Sequence, residues 1–334
     1  GHVIVDRYHF DLPDTGFFFP GDRLHYYIEA RDIVLGDVGT ATLPADTTGF
    51  STFDTQSGSL RYDNLFIVRA LPGTRSNEPD DHPMTLVWND HDDAGAHDAW
   101  MEIFDQIQRE EGRNFDIYCT NGPTAGVGNG LGGRATAEQL AAYRNILYTS
   151  GDLNTYLLGN GDHEIDPSQD LGVLMNWIDA NQGNLFVCGD DLISYLTNAG
   201  AQGDLFRSAY LGVDWIAGDI RWLIGGQVAP LVVEDEGHII TPLLEEWIVY
   251  GGCPRINDFD AIVPGAGRYR EAQFTDPGGN PAFEYAAAVV DHTWPHEARH
   301  VVVLPYDLLT VNTAPGWIPP PGFAGWAARD VLLH

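Results

Sequence analysis

No lysine occurs among the 334 residues; all 17 basic side chains are arginine, set against 48 aspartates and glutamates, for a formal net charge of −31. That balance repels phosphate backbones and anionic headgroups, so nucleic acid and anionic membrane are poor partners for this surface. It favours solubility, and beyond plain solvation it raises the expectation of cation binding or of life in salty water. Long apolar runs are also missing. No segment approaches the roughly 18 uninterrupted apolar residues of a membrane span, so no membrane insertion is expected. No signal peptide is visible, although a mature secreted chain has already lost its own. Cysteine is scarce: Cys119, Cys188 and Cys253 are the three. The odd number leaves at least one thiol free or paired between chains, and no pair has zinc-ligand spacing. A fold with so few cysteines is not stapled by disulfides.

What is present points to an α/β protein of one large domain or two modest ones. Residues 1–72 read as a β-rich segment. Val3-Ile4-Val5 with Tyr8-His9-Phe10, residues 24–30 and residues 65–71 have strand composition, and residues 17–22 form a turn after aromatics. Residues 73–83 read as a linker. The rhythm then changes. Residues 84–90 read as a buried strand and 115–119 as a second. Between them, 97–111 is an amphipathic helix with Trp100, Ile103, Phe104 and Ile107 on one face, stopped by Gly112. The Gly-rich stretch 126–133 lacks the Lys-Ser/Thr of a phosphate loop and reads as a plain loop. Thr136 opens a short helix, 145–149 is a third strand, and 171–178 is a helix behind the acidic loop 162–170.

This alternation implies a parallel sheet with helices on both faces, in which the strands beginning near Met84, Asn145 and Asn184 are neighbours. Residues 201–290 are less regular, an insertion of short strands (228–233 and 283–290) among Gly and Pro turns. Residues 299–304 form a last buried strand, and a Pro/Gly/aromatic loop precedes a terminal helix. The chain opens on Gly1-His2 and stops inside that helix, so a piece of a larger polypeptide is expected.

The stretch that organises the rest is Gly183-Asn184-Leu185-Phe186-Val187-Cys188-Gly189-Asp190-Asp191-Leu192. It reads as a buried strand, a tight glycine turn and a helix starting on acidic residues. Ligands of open α/β sheets bind at the carboxyl ends of strands. Strand one ends in Asp90-His91-Asp92-Asp93, strand three in Ser150-Gly151-Asp152 and strand four in Cys188-Gly189-Asp190-Asp191. Asp90, Asp92, Asp152, Asp190 and Asp191 are therefore candidate ligands for Ca²⁺ or Mg²⁺, both oxygen-seeking ions. The alternative is that Asp and Gly are simply what tight turns and helix starts prefer.

Cys188, between strand and helix, is a candidate nucleophile, with His163, His292, His296 and His300 as candidate bases. Asp190 and Asp191 oppose that role by raising its pKa. The alternative is a small buried residue. His292, His296 and His300 have metal-like spacing only on a helix, and Pro295 argues against one there.

At these residues the chain resembles class I glutamine amidotransferase-like domains of flavodoxin-like fold. The resemblance rests on residues 86–90, 148–152 and 183–191 and extends over about 84–200 plus the last strand and helix. More narrowly, it is similar to versions found in large secreted bacterial proteins. Pro20-Gly21-Asp22, Tyr26-Tyr27 and Ala30-Arg31-Asp32 resemble later strands of immunoglobulin- or fibronectin-like modules, so residues 1–72 look like part of such a module. The resemblance implies a doubly wound, mainly parallel flavodoxin-like sheet over 84–334. It implies an extracellular or cell-surface location, and other domains or copies of the same large polypeptide as partners. In the catalytic members a Cys occupies the elbow after the fourth strand, and a His and a Glu follow a later one. Cys188 falls at or beside that elbow, but the Gly-x-Cys-x-Gly and His-Pro-Glu patterns are absent. His296-Glu297 is the nearest counterpart, and it precedes the last strand. The leading expectation is a non-catalytic structural or binding module with a divalent-cation site. The rival is a cysteine-dependent hydrolase or amidotransferase-like enzyme using Cys188, His296 and Glu297.

Overall fold

The computed structural model describes residues 22–32, 39–43, 45, 67–73, 81–90, 96–120, 130–161, 167–181, 183–220, 223, 231–234, 246–249, 259–275, 285–291, 300–312, 319, 322, 324 and 326–333. The chain divides into two compact units, Gly1–Pro83 with Glu110–Asp116, and Met84–Arg109 with Ile117–His334.

The first unit holds β1 (Arg23–His25), β2 (Ile28–Asp32), β3 (Gly39–Leu43) and β4 (Ile67–Arg69). β1 pairs antiparallel with β4, and β2 with β3. The single strand expected over 24–30 is thus broken at Tyr26-Tyr27. Composition sets local extension, but the available partner decides where a ladder runs, and here the two halves take different partners. The strands expected within residues 1–10 and most of the turn at 17–22 lie outside the described residues.

The second unit is built on one mixed sheet. In chain order its strands are β5 (Thr85–Asn89), β6 (Phe115–Cys119), β7 (Asn145–Thr149), β8 (Asn184–Cys188), β9 (Val213–Ala217), β10 (Leu231–Glu234), β11 (Glu246–Val249), β12 (Ala261–Pro264), β13 (Tyr269–Thr275), β14 (Ala286–Val290), β15 (Val301–Leu304) and β16 (Val311–Asn312). Across the sheet the order is β16-β11-β10-β13-β14-β15-β8-β7-β5-β6, with β12 pairing β14 and β9 pairing β12. β5, β7, β8 and β15 are parallel neighbours, as the alternation in the sequence predicts. These strands bury apolar residues on both faces, as strands of a parallel core do.

An asparagine ladder pins their register at the amino ends. Asn145 Nδ2 donates to Thr85 Oγ1 at 3.0 Å, Asn184 Nδ2 to Asn145 Oδ1 at 2.9 Å, and His300 N to Asn184 Oδ1 at 2.9 Å.

The sheet is less uniformly parallel than a doubly wound fold requires. β10 with β11, β13 with β14, and β14 with β15 are antiparallel. Each of these pairs is consecutive in the chain, and the connections are shorter than the dozen or more residues that a parallel crossover takes. Short connections impose hairpins. The stretch that reads as irregular in the sequence is therefore an antiparallel wing on a parallel core.

Among the described residues the helices include α1 (Ala96–Gln106), α2 (Leu131–Arg134), α3 (Ala137–Ala141), α4 (Asp170–Asn181), α5 (Leu192–Asn198), α6 (Gly200–Leu205) and α7 (Ala328–Leu333), with a π-helical turn over Phe206–Leu211. α1 buries Ala99, Trp100, Ile103 and Phe104. Each large side chain of that stripe stabilises the fold by about 1.5–3 kcal/mol relative to exposure. The helix stops at Gln106 instead of continuing to Glu111, because Gln108 adopts φ +57° and breaks the hydrogen-bond ladder. α3 starts where its capping residue predicts: Thr136 Oγ1 accepts from Gln139 N, and Gln139 Oε1 accepts from Thr136 N. The Gly-rich loop contributes α2. There Gly130 N donates to Ser168 Oγ at 3.1 Å and Gly132 N to Asp170 Oδ1 at 2.6 Å, and a side chain at Gly130 would collide with Asp170.

Candidate functional site

In-register pairing divides the carboxyl ends of the parallel strands between two faces. Trp88, Tyr148, Val187 and Val303 align on one, and Asn89, Thr149, Cys188 and Leu304 on the other. α1 covers the second face, with Trp100 edge-on to Phe186 at 6.3 Å between ring centres.

On the first face Tyr148 Oη donates to Asp90 Oδ2 at 2.7 Å, and Trp88 Nε1 to Thr120 Oγ1 at 2.8 Å. Burial, then the Asp90 charge, pushes the Tyr148 phenol well above its ordinary value, so the phenol stays a donor. On the second face the centre is Asp307, just beyond β15. Its Oδ2 accepts from Thr149 Oγ1, from Trp100 Nε1 at 3.3 Å and from Cys188 Sγ at 3.7 Å. Its Oδ1 accepts from Leu309 N at 2.7 Å and so caps the 3₁₀ turn Leu308–Thr310. Its own main-chain N donates to Asp190 Oδ1 at 3.3 Å.

Cys188 is fully buried. Burial raises its thiol pKa well above the ordinary value, and the Asp307 charge raises it further against the bonds to Thr149 and Leu308. Asp190 is buried too. Burial comes first and the Asp307 charge second in raising its pKa well above the carboxylate range, with Asp191 and Asp152 adding to the effect. Among the described residues Asp190 Oδ2 and Ser150 Oγ have no hydrogen-bond partner. The Gly189 turn is required sterically: φ is +153°, and a β-carbon there would overlap Ser150 Oγ.

The third element of the site is Asp260, before β12. Its Oδ2 accepts from Ile193 N at 2.8 Å and Ser194 N at 2.9 Å, and its Oδ1 from Trp215 Nε1 at 3.1 Å. Asp191 sits at the N-cap of α5 without a side-chain capping bond to the helix, and the distant Asp260 caps it instead. Burial raises the Asp260 carboxyl to about 7, with the Asp191 charge adding and the N–H donors opposing.

The strand-end acids of the sequence are therefore bonded to different partners. Asp90 belongs with Tyr148, Asp190 with Asp307, and the Asp152 charge reaches Asp190. Asp92 lies outside the described residues. Among the described residues no group of three or more His, Cys, Asp or Glu side chains is arranged to hold a metal ion. Of the candidate bases, His163, His292 and His296 lie outside the described residues, as does Glu297. His300 stands at the amino end of β15, beside Asn184 and Asp291. Cys188 pairs with Leu304 at the other end of that strand, about 13 Å away at the usual rise per residue.

As site residues Asp307, Asp260, Thr149 and Trp100 escape the sequence reading, which places Trp100 only on the apolar face of its helix and Thr149 only in a strand. The signal for Asp307 is there: Leu304-Pro305-Tyr306-Asp307 repeats the pattern of an apolar strand running into an Asp.

No family model and no curated protein matches the sequence. Solved structures with distant similarity include the following two. The mmIFT52 N-terminal domain is 10% identical with a TM-score of 0.37, over 66% of this chain and 86% of its own. The Trypanosoma brucei CTPS glutaminase domain with bound acivicin is 12% identical with a TM-score of 0.36, over 75% of this chain and 91% of its own. Likeness at that level leaves the functional argument to the residues. No described helix is long and apolar enough to cross a membrane.

Proposed function

We propose that the chain is a non-catalytic structural or binding module, with a flavodoxin-like parallel core of the class I glutamine amidotransferase-like kind, carried by a larger extracellular or cell-surface polypeptide. Its partners are other domains or copies of that polypeptide. One observation carries the non-catalytic reading: Cys188, at or beside the elbow where the resemblance would put a nucleophile, is spent as a buried donor to Asp307. A nucleophilic cysteine needs an accessible thiolate, a nearby base and a donor for the oxyanion. Burial and the Asp307 carboxylate instead favour the neutral thiol. The carboxyl ends of β7, β8 and β15 are then a polar packing centre that locks α1 and the strand exits together.

Alkylation of the folded protein tests this reading. Iodoacetamide at neutral pH should modify the half-buried Cys119 well before Cys188. Rapid, preferential alkylation of Cys188 would instead favour a cysteine-dependent hydrolase.

A further inference from the structure

We propose that the groove between α3 and α4 is a binding site for a small organic cation, an apolar body carrying an amine, amidine or guanidine head. The groove follows from helical spacing. Ala137 and Ala141 stand four residues apart on α3, and Val173, Trp177 and Ala180 fall at i, i+4 and i+7 on α4, so each helix turns one stripe toward the other. Alanine fills most of those positions. Facing stripes so short of side-chain volume leave a gap of about 370 Å³. That volume lies at the small end of the roughly 300–1,000 Å³ of ligand pockets.

The floor of the groove is preformed. Leu140 and Trp177 are buried beneath the gap. The Trp177 indole N–H donates to Leu140 O at 3.0 Å and to Tyr143 O at 3.1 Å, which ties the ring to the end of α3. The six-membered part of the ring lies against Gly183, where a β-carbon would come within 2.3 Å of Cζ2. A ring held in both places cannot swing out to fill the groove, so a ligand meets a surface that is already ordered.

The mouth sets the charge of the ligand. Glu138 and Asn176 are the polar side chains of the lining, and Glu138 is the charged one. Both are exposed, and among the described residues neither side chain makes a hydrogen bond or an ion pair. A carboxylate and an amide oxygen accept, which complements a cationic donor. An anion would meet Glu138 and a chain of net charge −31. The alanine methyl groups, Val173 and the floor take the apolar body. The groove shares no lining residue with the Cys188–Asp307 centre, so alkylation of Cys188 does not bear on it.

Benzamidine, an aromatic ring with an amidinium head, is the probe, and benzoate, the same ring with an anionic head, is its control. The readout is the indole Nε1–H resonance of Trp177 in the ¹⁵N-labelled full chain, assigned by its cross-peaks to Leu140 and Tyr143. Benzamidine should move it saturably, with half-saturation on the order of 1 mM, and benzoate should leave it in place. Glu138→Gln should weaken benzamidine binding about two- to fivefold, the effect of one exposed ion pair. Ala141→Leu fills the groove and should abolish the shift, and Ala180→Leu does so from α4 if that variant does not fold. A resonance that stays still up to about 10 mM benzamidine overturns the proposal. So does an equal response to benzoate, unweakened binding in Glu138→Gln, or an undiminished shift in the leucine variants. A shift that follows protein concentration alone and vanishes in Ala141→Leu would give the groove to a second copy of the chain, and overturns it as well.

Discussion

The main-chain N–H of Asp307 donates to Asp190 Oδ1 at 3.3 Å, joining two strand exits that lie 117 residues apart. The Asp307 side chain extends the join to Trp100 on α1, Thr149 on β7 and Cys188 on β8. One aspartate thus fixes a helix and three neighbouring parallel strands at the edge where such sheets usually bind ligands.

Replacing Asp307 by Ala should be among the more damaging substitutions in the second unit. It strands a buried indole N–H, a buried hydroxyl and the cap of the 3₁₀ turn, at about 1–3 kcal/mol for each unsatisfied group. A net loss of roughly 3–5 kcal/mol is expected in urea unfolding, allowing for partial relaxation. Asp307→Asn keeps an acceptor and should cost less. A loss below about 1 kcal/mol for Asp307→Ala would show that the hub is not structural.

The legible parts of this fold are those where one physical demand acts alone. β5, β7 and β8 can be read nearly residue for residue because strands buried on both faces must be largely continuous apolar runs. The wing from β9 to β14 is harder. Its strands are short and their pairing is set by connection length and partner, which periodicity does not encode. In the site, Cys188 and Asp190 are visible because glycine marks their turn. Asp260 is not, because its role is to cap a helix that starts 68 residues earlier than its own position, and capping preferences in a sequence are local.

Gly189→Ala should be strongly destabilising, for two reasons that can be separated. The residue holds φ +153°, and the added carbon would overlap Ser150 Oγ. The expected cost is about 2–4 kcal/mol, from backbone strain plus overpacking. Ser150→Gly removes the hydroxyl in contact, so the double variant should recover part of the loss. A double-mutant cycle with no coupling energy would assign the whole effect to the backbone.

The asparagine ladder predicts a directional result. Asn145 both donates to Thr85 and accepts from Asn184, whereas Thr85 ends the chain of bonds. Asn145→Ala should therefore destabilise more than Thr85→Ala, by about 1–2 kcal/mol in denaturant unfolding, since it leaves two polar groups without partners instead of one. Equal losses would mean that water replaces the ladder freely.

Asp190 predicts a pH dependence whose sign is set by its surroundings. Burial, then the Asp307 charge, raises its pKa well above the carboxylate range. The folded chain therefore keeps a proton that the unfolded chain releases near pH 3.9, the ordinary aspartate value. The stabilising contribution is complete below that unfolded value and is lost as pH rises through the raised folded value. Asp190→Asn has no proton to lose, and its Oδ1 can still accept from Asp307 N. The variant should be close to wild type only below about pH 4 and melt progressively higher than wild type as pH rises, with the gap levelling off only beyond the folded pKa of Asp190. Thermal melts in matched buffers from acid to alkaline pH measure this directly. A variant that melts below wild type by a constant margin at every pH would show that Asp190 contributes as an ionised acceptor, and would reverse the assignment of its proton.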